Sequence, residues 1–161
     1  VPEQFMVVHF TEPQAEGVEM PTWHQHVTVV PWAEGDMEAA TEALAITLAG
    51  FGPLGARVSE RKMFGDGKDI PVLTIEPLDA FRSLHNAVLA TVEEHSRLTV
   101  DRRHTGPKYK PHITQKPDHP ERNIGDEFQL DHLTVVRWLD HTRLIYRNVP
   151  LAGTAPARAT E

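Results

Sequence analysis

Four His-x-Thr tripeptides hold the residues best suited to proton transfer: His9-Phe10-Thr11, His26-Val27-Thr28, His112-Ile113-Thr114 and His132-Leu133-Thr134. With 10 His and 14 Thr among 161 residues, about one such tripeptide is expected by chance, so context must select among the four. In a strand, residues i and i+2 point to the same face. Each tripeptide would therefore present an imidazole and a hydroxyl side by side. Imidazole gains or loses a proton near neutral pH. Two of them flanking one phosphodiester could deprotonate a nucleophile and protonate a leaving oxygen. The hydroxyls could donate to the non-bridging oxygens as charge develops. Such a site needs no metal and no cofactor.

The opposite-face residues discriminate between the copies. At His26 they are Val27 and Val29, suited to packing on helices. At His112 they are Ile113 and Gln115, half as suitable. His9 ends its strand beside a Glu-Pro loop, and His132 has Leu133 and Val135 opposite, a pattern as good as that of His26.

The elements that must position these groups follow from periodicity. Gln4 to Phe10 and His24 to Trp32 read as strands, with a Pro- and Gly-containing loop from Thr11 to Thr22 between them. Asp36 can cap a helix running to about Gly50, whose apolar stripe is Ala40, Leu44 and Leu48. Ala56 to Phe64 and Ile70 to Glu76 form a hairpin about Gly65-Asp66-Gly67. A second helix runs from about Leu78 to His95, with Phe81, Leu84, Val88, Leu89 and Val92 on one face. Arg97 to Pro111 is mostly loop, and Ile113 marks a short strand. Phe128 to Trp138 and Thr142 to Val149 read as a closing hairpin. Two helices and about seven strands predict an α+β fold with sheet packed on helices, in one domain over residues 1–150 followed by a flexible tail over 151–161.

The stretch Trp23-His24-Gln25-His26-Val27-Thr28-Val29, followed by a helix, resembles the first HxTx motif of the 2H phosphoesterases. Tyr109-Lys110-Pro111-His112-Ile113-Thr114 resembles their second. That superfamily includes the LigT-like 2′-5′ RNA ligases and 2′,3′-cyclic nucleotide phosphodiesterases. The separation of the motifs, the helix, hairpin and helix between them and the closing hairpin are similar as well. The resemblance covers residues 4–150. It departs at Gln115, where the family has an apolar residue, and in a short loop before His26. It implies a bilobal LigT-like fold, a single domain with two antiparallel sheets, two main helices and a central cleft, and catalysis by His26 and His112, with His26 as proton donor and His112 as acceptor. The motifs' own symmetry leaves those roles open. Thr28 and Thr114 would hold the phosphate, Lys116 would add a cation by continuing the 112, 114, 116 alternation, and Tyr109 would stack on a base.

Charge narrows the partners. The chain carries a net −7, yet seven cations and three acids lie between Arg97 and Arg122. An acidic body disfavours long nucleic acid, which is bound through phosphate neutralisation. A local basic patch suits a small nucleotide or an RNA end. No apolar run is long enough to span a bilayer. The N-terminus reads as a strand and not a signal peptide. The expectation is a cytoplasmic monomer without cofactors. Two rival readings remain: a metal-dependent hydrolase built on His24 and His26 with His9 joining them, and a non-catalytic nucleotide- or RNA-end-binding module.

Overall fold

The computed structural model describes residues 1–153; residues 154–161, most of the expected tail, lie outside the described residues. In chain order the elements are β1 (Glu3–Phe10), β2 (Glu19–Met20), β3 (His26–Gly35), α1 (Met37–Leu48), β4 (Leu54–Phe64), β5 (Ile70–Glu76), α2 (Leu78–Glu93), β6 (Ser96–Leu98), β7 (His112–Thr114), β8 (Glu127–Leu130), β9 (His132–Leu139) and β10 (Thr142–Pro150). Asp36 caps α1 as its sequence position predicts, its carboxylate accepting from the Ala39 N–H at 3.0 Å. The α1 stripe Ala40, Leu44 and Leu48 is buried, and so is the apolar face of α2.

The α+β fold and its two lobes are those the sequence predicts, but the two sheets are joined. The hydrogen-bonded path runs β2-β10-β9-β1-β3-β7-β5-β4-β8, with β6 added to β3. One half holds β1, β3, β9 and β10, the other β4, β5, β7 and β8, and the link between them is the single antiparallel pair Val27–Ile113. The expected first strand of the closing hairpin breaks at Asp131. Before it β8 pairs with β4, and after it β9 pairs with β1 and β10, so the chain crosses between lobes there. The residues just after β10 pack on the fold. Leu151 is buried, and the N–H groups of Leu151, Ala152 and Gly153 donate to the carbonyls of Asp131, Leu48 and Phe51.

One core fills the space between the two helices and the sheet, with Val27, Val29, Leu44, Leu48, Leu84, Val88 and Ile113 in it. A smaller core of Met6, Val8, Phe10, Met20, Val136 and Ile145 lies on the other face of the first lobe, with Trp23 and Trp32 packed against it. The first core takes Val27 and Val29 of β3 and Ile113 of β7, which leaves the alternate residues of these strands on the opposite face of the sheet.

Two histidines belong to this framework. His9 is buried, bonded through Nδ1 to the His132 carbonyl, and burial pushes it from 6.5 down to about 4. His85, on the apolar face of α2, is fully buried and lowered by the same desolvation. Its Nδ1 donates to the Val29 carbonyl at 2.7 Å, and its Nε2 accepts from the Gly106 N–H at 2.9 Å. A proton on that Nε2 would face a donor. Both rings have folded-state values below their unfolded ones, so the unfolded chain binds more protons in the window between. Stability is therefore complete above pH 6.5 and falls as the pH drops toward about 4. The urea midpoint should decrease between pH 7.5 and pH 4.5 at constant m-value; a midpoint independent of pH over that range would contradict the neutral burial of these rings.

Candidate active site

Pairing of Val27 with Ile113 sets the geometry of the cleft. In an antiparallel register His26 then lies across from Thr114, and Thr28 across from His112. Val27 and Ile113 point into the core, both with 0% exposure. The four flanking side chains share the other face and are partly exposed. His26 and His112 occupy diagonal corners of this square, at about 7–8 Å by ordinary sheet geometry. β7 begins directly after Pro111, which has no N–H to donate to a ladder.

Both imidazoles are held alike. His26 Nδ1 lies 2.8 Å from the His24 carbonyl, and His112 Nδ1 lies 2.8 Å from the Lys110 carbonyl. A carbonyl only accepts, so Nδ1 carries the proton in each neutral ring and Nε2 keeps a free lone pair. An aromatic ring also packs against each one. Trp23 lies 4.5 Å from the His26 ring, and Phe64 lies 4.9 Å from the His112 ring. Burial lowers both imidazoles. His26 falls from 6.5 to about 4, by desolvation first and then by the charges of Lys116, His119 and His112, opposed by its bond to His24. His112 is lowered by desolvation and by His104, opposed by its bond to Lys110. At neutral pH both rings are therefore bases in the free protein.

Of the residues singled out by the sequence, His26, Thr28, His112 and Thr114 come together. Lys116 is exposed and close enough to act on His26 electrostatically. Tyr109 is not a platform for a base. It is buried, its hydroxyl donates to the Thr28 carbonyl at 2.8 Å, and its ring stacks on His85 at 4.0 Å. The loop before β7 must dock on α2, and the large apolar ring takes that job. His9 pairs with Val27 and so turns away from His26, while His132 bonds the Asp131 carboxylate at 2.7 Å. The proposed metal set of His9, His24 and His26 is thus not assembled, and among the described residues no group of three or more His, Asp or Glu is placed to hold a metal ion.

Several neighbours were not legible in advance. Trp23 is visible only as an aromatic three residues before the motif. Phe64 packs on His112 from the end of β4, and His104 and His119 act on His112 and His26 electrostatically from the segments on either side of β7, with no periodic signal. His85 has one signal: a histidine inside the apolar stripe of a helix, between Phe81 and Leu89. A further clasp joins the segments around the two motifs. The buried Gln25 accepts from Thr11 and Arg122 and donates to the Pro120 carbonyl, each at 2.9 Å, and His119 Nε2 lies 2.7 Å from the Trp23 carbonyl.

Residues 4–145 match the family described as the 2′-5′ RNA ligase superfamily. No curated protein matches the chain. Among solved structures, TT0787 of Thermus thermophilus is 17% identical, with a TM-score of 0.59 over 94% of this chain and 100% of that one. LigT of E. coli complexed with phosphate is 11% identical, with a TM-score of 0.58 over 96% and 99%. The same protein complexed with 3′-AMP is 13% identical, with a TM-score of 0.54 over 93% and 95%. At these identities the structures establish a shared fold.

The site makes a spectroscopic prediction. In the free protein the ring protons of His26 should titrate near 4 by NMR. Inorganic phosphate bound between the rings would favour the imidazolium and raise that value by roughly one unit or more. A His26 that titrates at 6.5 in the free protein, or is unmoved by saturating phosphate, would contradict this electrostatic picture.

Proposed function

The chain belongs to the 2′-5′ RNA ligase superfamily, and from that premise we propose that it is a metal-independent phosphodiesterase acting on nucleotide phosphodiesters by two-histidine acid–base catalysis. The observation that carries this reading is the matched pair of His-x-Thr strands, paired through Val27 and Ile113, with both Nδ1 atoms tied to carbonyls. The candidate substrates are a 2′,3′-cyclic phosphate, a 2′-5′ linkage or a cyclic oligonucleotide. The 3′-AMP and phosphate held by LigT support a nucleotide with a phosphate at the site.

The phosphate sits between the two free Nε2 atoms, with the Thr28 and Thr114 hydroxyls donating to its non-bridging oxygens. In hydrolysis, His112 Nε2 takes a proton from water as the water oxygen bonds to phosphorus. The bond from phosphorus to the ribose oxygen breaks, and His26 Nε2 delivers its proton to that oxygen. The resemblance to the 2H family assigns the donor's part to His26. That ring must be charged first, and the substrate's negative charge supplies the drive by offsetting the desolvation that holds it near 4. Lys116 then favours the phosphate while it opposes a premature charge on His26.

Turnover of 2′,3′-cyclic AMP or of a 2′-5′ dinucleotide should survive EDTA. His26→Ala and His112→Ala should each lower the rate by about 10²–10⁴-fold, and Thr28→Ala or Thr114→Ala by less, since the proton transfers remain. Loss of activity to a chelator with recovery on a divalent ion would establish the metal-hydrolase reading, and tight nucleotide binding with no turnover would establish the inert module.

The pH profile of turnover should be bell-shaped, with limbs that belong to the pair of histidines. Because bound substrate raises both rings, the bell for kcat should lie at higher pH than that for kcat/KM. A kcat that rises monotonically through pH 9 would exclude the mechanism.

A further inference from the structure

Beside His112 a groove of about 890 Å³ runs along the second lobe, and neither catalytic histidine lines it. It starts at Thr74 and Phe64, the first paired with His112 across the sheet and the second packed on its ring. From there it follows the cleft-side face of β5, β4 and β8. The register shows that this is one face. Glu60 pairs with Thr74, Arg57 with both Glu76 and Glu127, and Gly55 with Gln129. The groove therefore continues the surface on which His112 and Thr114 stand, and a group attached to a phosphate at the histidines can run directly into it.

Charge distinguishes the groove from the phosphate site. Its charges balance in number: Arg57, Lys62 and Lys110 share the lining with Glu60, Glu76 and Glu127, and Arg57 lies 3.8 Å from Glu76 while Lys62 lies 3.5 Å from Glu60. Such a lining offers donors and acceptors but no net positive charge, which suits a neutral polar group and not a second phosphate. Size points the same way, since small-molecule sites occupy about 300–1,000 Å³. The floor is kept open by a residue chosen for its lack of a side chain. Gly55 sits inside β4, where glycine weakens a strand. Its φ is not in the left-handed region, and an added Cβ would meet only Gln129 Oε1, at 3.9 Å. Neither backbone conformation nor crowding calls for glycine there; what glycine preserves is the hollow.

We propose that this groove is the seat of a second, uncharged nucleoside joined through its ribose to the phosphate at the histidines, so that the preferred substrate is a dinucleoside monophosphate and not a cyclic mononucleotide. This inference rests on the phosphodiesterase reading and extends it to substrate selection. A subsite that holds the leaving nucleoside adds binding that a cyclic mononucleotide cannot use.

The test compares 2′-5′-linked adenylyl-adenosine with 2′,3′-cyclic AMP in wild type and in Gly55→Ile, which fills the floor with a strand-forming aliphatic side chain that offers no stacking face. The ratio of kcat/KM for the dinucleoside over the cyclic nucleotide should fall about tenfold or more in the variant. An unchanged ratio in a folded variant overturns the proposal. Amide NMR shifts of the wild-type protein provide a second measurement that needs neither variant nor turnover. The dinucleoside should move Gly55 and Gln129, and cyclic AMP should leave them in place; a dinucleoside that binds without moving them overturns the proposal even if Gly55→Ile fails to fold. If wild type turns over neither compound, the phosphodiesterase reading fails, and the same NMR titration still decides whether the groove takes a nucleoside.

Discussion

A single backbone pairing, Val27 with Ile113, holds the two lobes in register and thereby builds the site. Side chains alternate along a strand, so a slip of one residue would send His112 and Thr114 into the core and bring Ile113 out. The full burial of Val27 and Ile113 penalises that slip. Burial of a branched side chain is worth roughly 1.5–3 kcal/mol, and the exposed alternative would bury an imidazole and a hydroxyl without their partners. The same apolar contacts that stabilise the core therefore decide which four groups face the cleft.

A three-residue strand that follows a proline cannot hold this register alone. Two polar constructions assist it. On the core side, His85 ties α2 to β3 and to the loop before β7, and Tyr109 stacks on it while bonding the Thr28 carbonyl. On the cleft side, Gln25 and His119 bind the loop after β7 to the chain just ahead of β3. Each hydrogen bond is worth only about 1 kcal/mol net, but leaving its buried partners unmade costs more. These networks therefore act mainly by penalising alternatives.

Desolvation is the price of this arrangement. The walls that orient His26 and His112 also strip them of water, and both rings are depressed toward the neutral form. That state leaves two bases awaiting an anion. The second lobe divides its surface in a related way, with Lys116, His104 and His119 acting around the histidines and the adjoining groove lined by three cations against three carboxylates. Charge thus marks where a phosphate belongs, and its absence marks where a neutral group can lie.

Much of this was legible in the chain. Periodicity located both helices, the β4–β5 hairpin and the strands around His26 and His112, because each buries one face and so carries a repeating apolar pattern. Alternation showed that each of the four His-x-Thr tripeptides presents its histidine and threonine together, since a strand presents i and i+2 together whatever it pairs with, and the resemblance to the 2H motifs singled out those at His26 and His112. Which strand meets which was another matter. His132 has as clean a pattern as His26, and only long-range pairing sets its strand between β1 and β10 and leaves His112 to face Thr28. Tyr109 reads equally as a stacking surface or a core residue until the fold closes over it. The crossing at Asp131 is invisible locally, because β8 and β9 are both ordinary strands and their separation depends on partners about 75 residues or more away in the chain. The sequence by itself determined what each strand could present. The tertiary structure decided what it would be presented to, because register and desolvation are properties of neighbours that the local pattern does not contain.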